Sequence, residues 1–347
     1  MKMLMDISVV IPVFNAERTI EACLESLYAQ DTRPLEIIIV DNGSTDKTME
    51  IVGSLIHRHK EVPTHCLREA RRGPSFARNR GASQAQGNII AFLDSDCMAD
   101  PSWLGHVSQA FERAYVGAVA GSVIGFDRQT TLGKFHALFT LRALPSSQLF
   151  HAFTLVSGGF PTANLSVRGT LFRSLGGFDE NIPQFGEDQD LCARIYRAGA
   201  WIYFDKEAIV HHQHRQSIKS TWHQSFGFGT GHATLLKKHF SKMLIVELPG
   251  WHYLSERWPL RLWLDLASAD KKFIFGLFLS LLWLPLSAFL LLYLVHLYRD
   301  MGKRLQMDHI DSGFGERWAM VLLLLFKSLA ITCGRWWGSI THRVLCL

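Results

Sequence analysis

The first hundred residues alternate between short apolar runs with almost no charge and longer stretches in which apolar residues recur at helical spacing. The runs at residues 7–13, 35–40 and 89–93 have the length and composition of strands that are buried on both faces. A β-α-β-α order favours a parallel sheet with helices on both sides. Ligands of such sheets bind beyond the carboxyl ends of the strands. The residues that follow each run are therefore the first candidates for a functional site.

Two carboxylates, Asp94 and Asp96, follow the third run and are separated only by Ser95. Alternate residues of a strand face the same side. If the strand continues through them, both carboxylates project toward one point, where a divalent cation can join them to a diphosphate. The D-x-D spacing alone is common and gains weight only from other residues nearby.

Polar residues also follow the first two runs. Pro12 and Asn15 end the first, and Asp41 ends the second. Asn15 is in a position to cap the helix that we expect next. No G-x-G-x-x-G sequence follows the first run, so the fingerprint of a dinucleotide-binding fold is absent. Three polar groups are thus expected at one edge of the sheet.

The charge pattern argues against a nucleic-acid partner. The formal net charge of the 347 residues is +5, and the basic residues are scattered apart from one group: Arg68, Arg71, Arg72, Arg78 and Arg80. Nucleic-acid binding favours a longer basic stripe with aromatic residues between the charges. Arg71 and Arg72 are open to two readings, as phosphate ligands or as solvent-exposed side chains. The six cysteines show no C-x-x-C spacing and are expected to be reduced thiols.

The C-terminal part has the composition of a membrane attachment. Residues 273–298 carry no formal charge and as one helix would reach about 39 Å, more than the roughly 30 Å of a hydrocarbon core. Pro285 is expected to kink this helix. A second apolar run at 318–334 contains Lys327. It either spans the membrane as the return leg of a hairpin, which we favour, or lies re-entrant.

Aromatic and basic residues precede these runs, at Trp251, Tyr253, Trp258 and Trp263 with Arg257 and Arg261. They resemble an interfacial belt on the lipid headgroups. The distribution of Lys and Arg around the two runs favours a cytoplasmic N-terminal domain. We therefore expect a catalytic domain at 1–240, an amphipathic interfacial segment at 241–271 and a membrane anchor at 272–347.

Six ordered motifs carry a resemblance to family 2 glycosyltransferases over residues 7 to about 215. They are Val9–Asn15 (VVIPVFN), Val40–Asp46 (VDNGSTD), Ala77–Gly81 (ARNRG), Phe92–Asp96 (FLDSD), Gly176–Glu180 (GGFDE) and Gly186–Asp188 (GED). The resemblance implies a GT-A fold, which is a Rossmann-like α/β fold of nucleotide-diphospho-sugar transferases. It also implies a nucleotide-sugar donor, Mn²⁺ or Mg²⁺, and inversion at the anomeric carbon.

The resemblance also implies roles for single residues. Asp41 matches the residue that binds the base, and the next position, often a second Asp in the family, is Asn42 here. The other donor-binding positions implied are Pro12, Asn15, Arg78, Asp94 and Ser95. Asp96 is implied as a metal ligand with Asp94, and His212 as a third ligand for which His211 and His214 compete. Asp188 matches the base that activates the acceptor.

The chemistry of sugar transfer agrees with these roles. The leaving diphosphate needs a cation, and direct displacement needs one carboxylate to accept the proton of the attacking hydroxyl. Asp188 or Glu187, at the start of a predicted helix, can be that base. The Q-x-x-R-W sequence of processive family members is missing, which favours addition of one sugar per encounter. Gly227, Gly229 and Gly231 form either a mobile lid or an ordinary loop.

Three hypotheses result. The first is a membrane-anchored, non-processive, inverting glycosyltransferase that acts at the cytoplasmic face on a lipid or a lipid-linked saccharide, with a protein acceptor as a further option. The second is a non-catalytic scaffold that binds nucleotide sugars on the same fold. The third is a metal-dependent hydrolase built on the histidine cluster, which would need ligands spread over several strands.

Overall fold

The computed structural model describes residues 5–140, 144–155, 157–182, 185–213, 217–248, 250–256 and 258–347. The chain divides into two compact units. Unit 1 comprises residues 1–126 and 141–214, and unit 2 comprises residues 127–140 and 215–347. Two residues of the sequence-based predictions, His214 and Arg257, lie outside the described residues.

The strands, numbered along the chain, are β1 Ile7–Val13, β2 Glu36–Asp41, β3 Thr64–Arg68, β4 Ile89–Phe92, β5 Cys97–Ala99, β6 Val116–Gly125, β7 Gln148–Phe150, β8 Leu165–Arg168, β9 Trp201–His212, β10 Met243–Leu248, β11 Trp251–Ser255, β12 Arg261–Asp265 and β13 Leu345–Cys346. The helices are α1 Ile20–Tyr28, α2 Thr48–Arg58, α3 Pro74–Gln84, α4 Trp103–Ala110, α5 Thr131–Phe139, α6 Gly169–Ser174, α7 Glu187–Arg197, α8 Ile218–His239, α9 Ala269–Leu282, α10 Ser287–Met307 and α11 Phe314–His342.

Unit 1 is built on one mixed sheet in the order β3-β2-β1-β4-β8-β6-β9-β5, with β7 paired to β9. Strands β1 to β4 are parallel, as the alternation of runs predicts, whereas β8 is antiparallel to both of its neighbours. Two apolar clusters cover the two faces of the sheet. The predicted α/β class is confirmed, and the carboxyl ends of β1, β2 and β4 share one edge.

Two local predictions in unit 1 are wrong. Asn15 does not cap α1, which begins only at Ile20 and has no side-chain cap; instead Asn15 adopts a left-handed backbone with φ 51°. Asp94 and Asp96 do not continue a strand, because β4 ends at Phe92. The backbone N–H of Cys97 donates to the Asp94 carbonyl at 3.0 Å, so the three residues form a turn between β4 and β5.

Unit 2 contains α5, α8 to α11 and a four-stranded sheet in the order β11-β10-β12-β13. The glycines at 227, 229 and 231 form neither a lid nor a loop, because they lie inside α8. A Cβ on Gly229 would overlap the carbonyl oxygen of Ile331, and one on Gly334 would overlap that of Phe226. These small residues therefore let the backbones of α8 and α11 touch.

The apolar run at 273–298 is not one kinked helix. It is broken between Trp283 and Leu286 into α9 and α10, and Gly276 of α9 packs against Leu290 of α10. In the described part of the chain, one helix, Phe314–His342, is long and apolar enough to cross a bilayer by length and composition. Its Lys327 donates to the Phe139 carbonyl and to Thr140 Oγ1.

The aromatic belt is only partly as predicted. Trp251, Tyr253 and Trp258 are exposed, but Trp263 is fully buried. The guanidinium of Arg335 lies 4.2 Å from the centre of the Trp263 ring. Trp263 is therefore part of the interior of unit 2 and does not belong to a lipid-facing surface.

Candidate functional site

The site is organised around Arg78 of α3. Its side chain is 6% exposed, and its guanidinium bridges two carboxylates from distant parts of the chain. Nη2 donates to Asp94 Oδ1 at 2.8 Å and Nη1 donates to Glu187 Oε1 at 3.1 Å. Charge-assisted bonds of this kind are short and strong. Arg78 thus fixes the turn after β4 to the acidic start of α7.

Asp188 lies beside this bridge. Gly186, with φ 98°, immediately precedes α7, a backbone conformation that glycine adopts without strain. Asp188 Oδ1 accepts the backbone N–H of Gln189 at 2.7 Å. Asp188 keeps part of its surface exposed. Burial, followed by the charge of Glu187, raises the pKa of the Asp188 carboxyl to about 7, so this carboxyl can gain or lose a proton near neutral pH.

Glu187 has a different environment from its neighbour. It is buried, and its carboxylate accepts from Arg78. Burial raises the pKa of Glu187, and the charge of Arg78 opposes that rise. A carboxylate held in this way is less available as a base than Asp188 is.

Asp96, Cys97 and His212 form the group of possible metal ligands found among the described residues. His212 Nε2 lies 3.5 Å from Asp96 Oδ1, because β5 and β9 pair with Cys97 opposite His212. Burial raises the pKa of the Cys97 thiol well above its usual value, so the thiol is protonated. Carboxylate and imidazole suit Mn²⁺ better than a purely thiolate set would, and the donor chemistry therefore fits the implied cation.

The other predicted ligands are placed differently. Asp94 is engaged by Arg78 and is not in that group. His211 pairs with Met98 and is the strand neighbour of His212, so it faces the opposite side of the sheet.

Three of the predicted nucleotide-binding residues lie at the ends of β1 and β2, and the loops that follow these two strands hydrogen-bond to each other. Asn15 Oδ1 accepts the backbone N–H of Thr45 at 2.9 Å, and the Asn15 N–H donates to Ser44 Oγ at 3.1 Å. Asp41, largely buried, accepts the backbone N–H of Ser44 through Oδ1 at 2.9 Å. Pro12 lies opposite Val40 in the β1–β2 pairing. The structure thus brings Pro12, Asn15 and Asp41 to one edge, as expected for strand ends in this topology.

Asn42 has a role that sequence reasoning missed. Its amide donates to the carbonyls of Glu69 at 2.9 Å and Arg71 at 2.8 Å, and its Oδ1 accepts the backbone N–H of Gly73 at 2.9 Å. A carboxylate could not donate these two bonds. The residue that departs from the family's double Asp is therefore the one that holds the loop leading into α3.

The two arginines with open roles are both engaged with protein groups. Arg71 pairs with Glu69 at 3.0 Å and with Glu180 at 2.9 Å. Arg72 lies over the ring of Phe14 at 4.9 Å. Glu180 also accepts from Asn79 of α3, so the GGFDE segment is attached to α3 and to the loop before it. Sequence reasoning found no signal for this attachment, because it joins residues about a hundred positions apart.

Comparison with known proteins agrees with this architecture. Residues 8–174 match the family model for glycosyl transferase family 2. A pre-mycofactocin glycosyltransferase of Mycobacterium tuberculosis is 29% identical over 248 residues, covering 71% of this chain and 50% of that relative. A glucosyl-dolichyl phosphate glucuronosyltransferase of Haloferax volcanii is 26% identical over 223 residues, covering 60% of this chain and 69% of that relative. The chain thus matches only about half the length of the mycobacterial relative.

Solved structures show the same fold. The mannosyltransferase PcManGT of Pyrobaculum calidifontis, in complex with GDP-Man and Mn²⁺, superposes with a TM-score of 0.54 at 19% identity, over 69% of this chain and 66% of that one. Residues 1–349 of S. aureus TarS, in complex with UDP-GlcNAc, superpose with a TM-score of 0.50 at 20% identity, over 69% of this chain and 68% of that one. At these identities the likeness establishes the GT-A fold.

Proposed function

We propose that the chain is a family 2 glycosyltransferase that transfers one sugar per encounter, with inversion, from a nucleotide-diphosphate sugar to an acceptor held at a membrane. The observation that carries this proposal is the Arg78 bridge. It places the turn that contains Asp94 and Asp96 beside an acidic helix start whose Asp188 has a pKa near 7. The carboxylates proposed for the donor side, Asp94 and Asp96, and the one proposed for the acceptor side, Asp188, then belong to one site.

Asp188 is the proposed catalytic base. It accepts the proton of the acceptor hydroxyl while that oxygen bonds to the anomeric carbon. The bond from the anomeric carbon to the diphosphate breaks, and the nucleoside diphosphate leaves with the electron pair. A single displacement needs no second nucleophilic carboxylate. Glu187, paired with Arg78, is assigned to position the helix start and to tune Asp188.

Asp96 and His212 are the residues proposed to hold Mn²⁺ or Mg²⁺, whereas Asp94 is held by Arg78. A cation bound there would neutralise the charge of the leaving diphosphate. The Mn²⁺ complex of PcManGT supports this assignment by its fold. Pro12, Asn15, Asp41 and Ser95 are proposed to line the donor site, with UDP favoured by the family resemblance.

The acceptor is proposed to be a lipid or a lipid-linked saccharide. Two observations support this. The Haloferax relative is a glucosyl-dolichyl phosphate glucuronosyltransferase, and unit 2 exposes many large apolar side chains. Attachment to a membrane through residues 272–347 would raise the effective concentration of an acceptor confined to the same surface. The excess of Lys and Arg near the apolar runs favours the cytoplasmic face.

The test is calorimetric binding of UDP, GDP, TDP and CDP to the detergent-solubilised full chain, with and without Mn²⁺. We expect one nucleotide to bind in a metal-dependent way, and Asp96→Ala to remove that dependence. Asp31→Ala, an exposed aspartate outside the site, is the matched control and should bind as the unchanged protein does. No binding by folded protein would overturn the proposal. Binding without any sugar transfer would favour the non-catalytic scaffold.

A further inference from the structure

Helices α9 and α10 expose a continuous set of large apolar side chains. Leu281 is 80% exposed and Leu284 is 77% exposed, and the same surface includes Phe275, Phe278, Leu282 and Phe289. Soluble proteins rarely leave an apolar patch of this kind facing water. We propose that unit 2 is monotopic: α9 and α10 dip into one leaflet of an anionic bilayer and return to the side from which they entered, and α11 does not cross.

The lengths of the two helices fit one leaflet. The apolar part of α9 after Lys272 has ten residues and the apolar part of α10 before Arg299 has twelve. At 1.5 Å per residue these legs reach about 15 Å and 18 Å, against about 15 Å for half of a hydrocarbon core. The break at Trp283 to Leu286 then lies near the bilayer midplane.

Several polar groups in and near the break have partners within the protein, as lipid requires. The N–H of Trp283 donates to the Leu279 carbonyl at 3.1 Å, and the N–H of Leu286 donates to the Trp283 carbonyl at 2.9 Å. Pro285 has no N–H to satisfy. The hydroxyl of Ser280 donates to the Gly276 carbonyl at 2.7 Å. These polar groups are bonded within the protein, so they can enter hydrocarbon without a water partner.

The charges at the open end of this pair fit anionic headgroups. Residues 269–304 contain five basic residues, Lys271, Lys272, Arg299, Lys303 and Arg304, against two acidic ones. Lys271 Nζ is buried and Arg304 pairs with Asp300, so Lys272, Arg299 and Lys303 are the cations left for the headgroups. All seven lie at the ends of the segment and none lies between residues 273 and 298. Basic residues at the surface are attracted to anionic lipid. The apolar turn thus matches the hydrocarbon layer of one leaflet, and the basic residues at the open end match its headgroup layer.

The strand pairing of unit 2 decides against a crossing by α11. Strand β12 precedes α9 and strand β13 follows α11, and the two pair directly, with Leu262 opposite Leu345. The intervening segment must therefore cross the bilayer an even number of times. Because α9 and α10 fold back on each other, together they return the chain to the side from which it entered. A crossing by α11 would then be the single crossing of the segment, and one is an odd number. A different placement of α11 is also favoured by its buried Arg335, which donates to Asp265 Oδ2 at 2.6 Å.

The exposed side of α11 fits a position along the membrane surface. Leu322, Leu329 and Trp336, seven residues apart, are all exposed and lie on one face of the helix. The opposite side carries Lys327 and Arg335, which are bound by protein groups. Such an arrangement is typical of a helix that lies in the interface.

The decisive test is the side from which two positions are labelled. In a background in which serine replaces the exposed Cys66 and the partly exposed Cys333, Glu256→Cys lies before α9 and Asp311→Cys lies between α10 and α11; both residues are exposed. A membrane-impermeant maleimide applied to sealed vesicles should label both from the same side. If α9–α10 spans the membrane once, the two positions are labelled from opposite sides, and that result overturns the proposal.

The second test measures binding of the full chain to vesicles of phosphatidylcholine and phosphatidylglycerol. The double change Leu281→Asp and Leu284→Asp should weaken partitioning at least tenfold. Leu35→Asp, an exposed leucine of unit 1, is the matched control and should leave partitioning unchanged. Thermal unfolding checks that each variant is folded. Unchanged partitioning together with a loss of dimers in light scattering would assign the surface to a second copy of the chain and refute the proposal. Nucleotide binding is measured separately, so failure here is distinct from failure of the proposed chemistry.

Discussion

Two substitutions beside Asp188 should move its titration in opposite directions. Glu187 raises the pKa of Asp188 through its like charge, and Arg78 lowers it. Glu187→Gln removes the like charge but keeps an oxygen that can accept from Arg78. Arg78→Gln removes the cation that lies 3.1 Å from Glu187. The two variants therefore test whether Asp188 is the group whose ionisation governs transfer.

The size of the shifts follows from Coulomb's law. Unit charges on neighbouring side chains, about 5–8 Å apart, interact by about 2–3 kcal/mol at an effective dielectric constant of about 20, or roughly 1.5–2.5 pKa units. We therefore expect the apparent pKa of Asp188 to fall by about 1–2 units in Glu187→Gln and to rise by about 1–2 units in Arg78→Gln. Because Asp188 and Glu187 interact, the measured values belong to the pair.

The assay is the pH dependence of kcat/KM for sugar transfer, which reports the ionisation of the free enzyme. A base must be deprotonated to act, so activity should rise with pH through about 7 in the unchanged enzyme. The rising limb should move to lower pH in Glu187→Gln and to higher pH in Arg78→Gln. Arg78→Lys keeps the charge and is the control in which the limb stays in place.

Two outcomes would refute this reasoning. The first is a rising limb that moves in the same direction in both variants. The second is a limb that stays in place in both, since the charges would then act on a group other than Asp188. Removing one partner from a buried ion pair costs about 3–5 kcal/mol of stability, so each profile is compared only over the pH range in which the variant remains folded by circular dichroism.

Five further results are expected. Asp188→Asn should lower kcat by about 10²- to 10⁴-fold while nucleotide binding, measured by calorimetry, stays within twofold. The pKa of Asp188 is raised to about 7 in the folded protein, so ionisation of this carboxyl costs stability as the pH rises above its pKa in the unfolded chain. Asp188→Asn should therefore unfold at a higher temperature than the unchanged protein at pH 8. This difference in unfolding temperature should vanish below pH 4. Asp96→Ala and His212→Ala should each raise the Mn²⁺ concentration needed for half-maximal nucleotide binding at least tenfold, and loss in only one would remove the other from the metal site. Asn42→Asp should lower the free energy of unfolding by about 2–4 kcal/mol, because two hydrogen-bond donors are lost. Gly229→Ala should lower the free energy of unfolding by about 1–3 kcal/mol through overpacking. Its control is Gly53→Ala, in a helix with open space around the glycine, which should be neutral or stabilising.

The parts of the fold that were predictable are those encoded by neighbouring residues. The strands β1, β2 and β4 are short apolar runs, and their order along the chain already indicates which polar residues end at one edge. The strand β9 is twelve residues long and continues to His212. That extension is what brings His212 opposite Cys97, and it depends on pairing with strands far away in the sequence.

The parts that were not predictable depend on contacts between distant residues. The partners of Arg78 are 16 and 109 positions away, and no local pattern indicates that one guanidinium serves both. The glycines of α8 resemble loop residues because glycine is unfavourable inside a helix. Their helical structure is understandable only when α11 is present, because larger side chains would keep the two backbones apart.

The charge balance of the site explains why one arginine is buried beside three carboxylates. Arg78 neutralises one charge among Asp94, Glu187 and Asp188, so the cluster remains negative when all three are ionised. Burial of excess negative charge favours a bound proton, and Asp188, which has no direct salt bridge to Arg78 in the described ion pairs, is where the pKa approaches 7. If Arg78 paired with Asp188 instead, the pKa of that carboxylate would be held low and it would be a weak base. In the proposed reaction, the bridge to Asp94 and Glu187 would therefore keep Asp188 basic while it holds the turn after β4 to the start of α7.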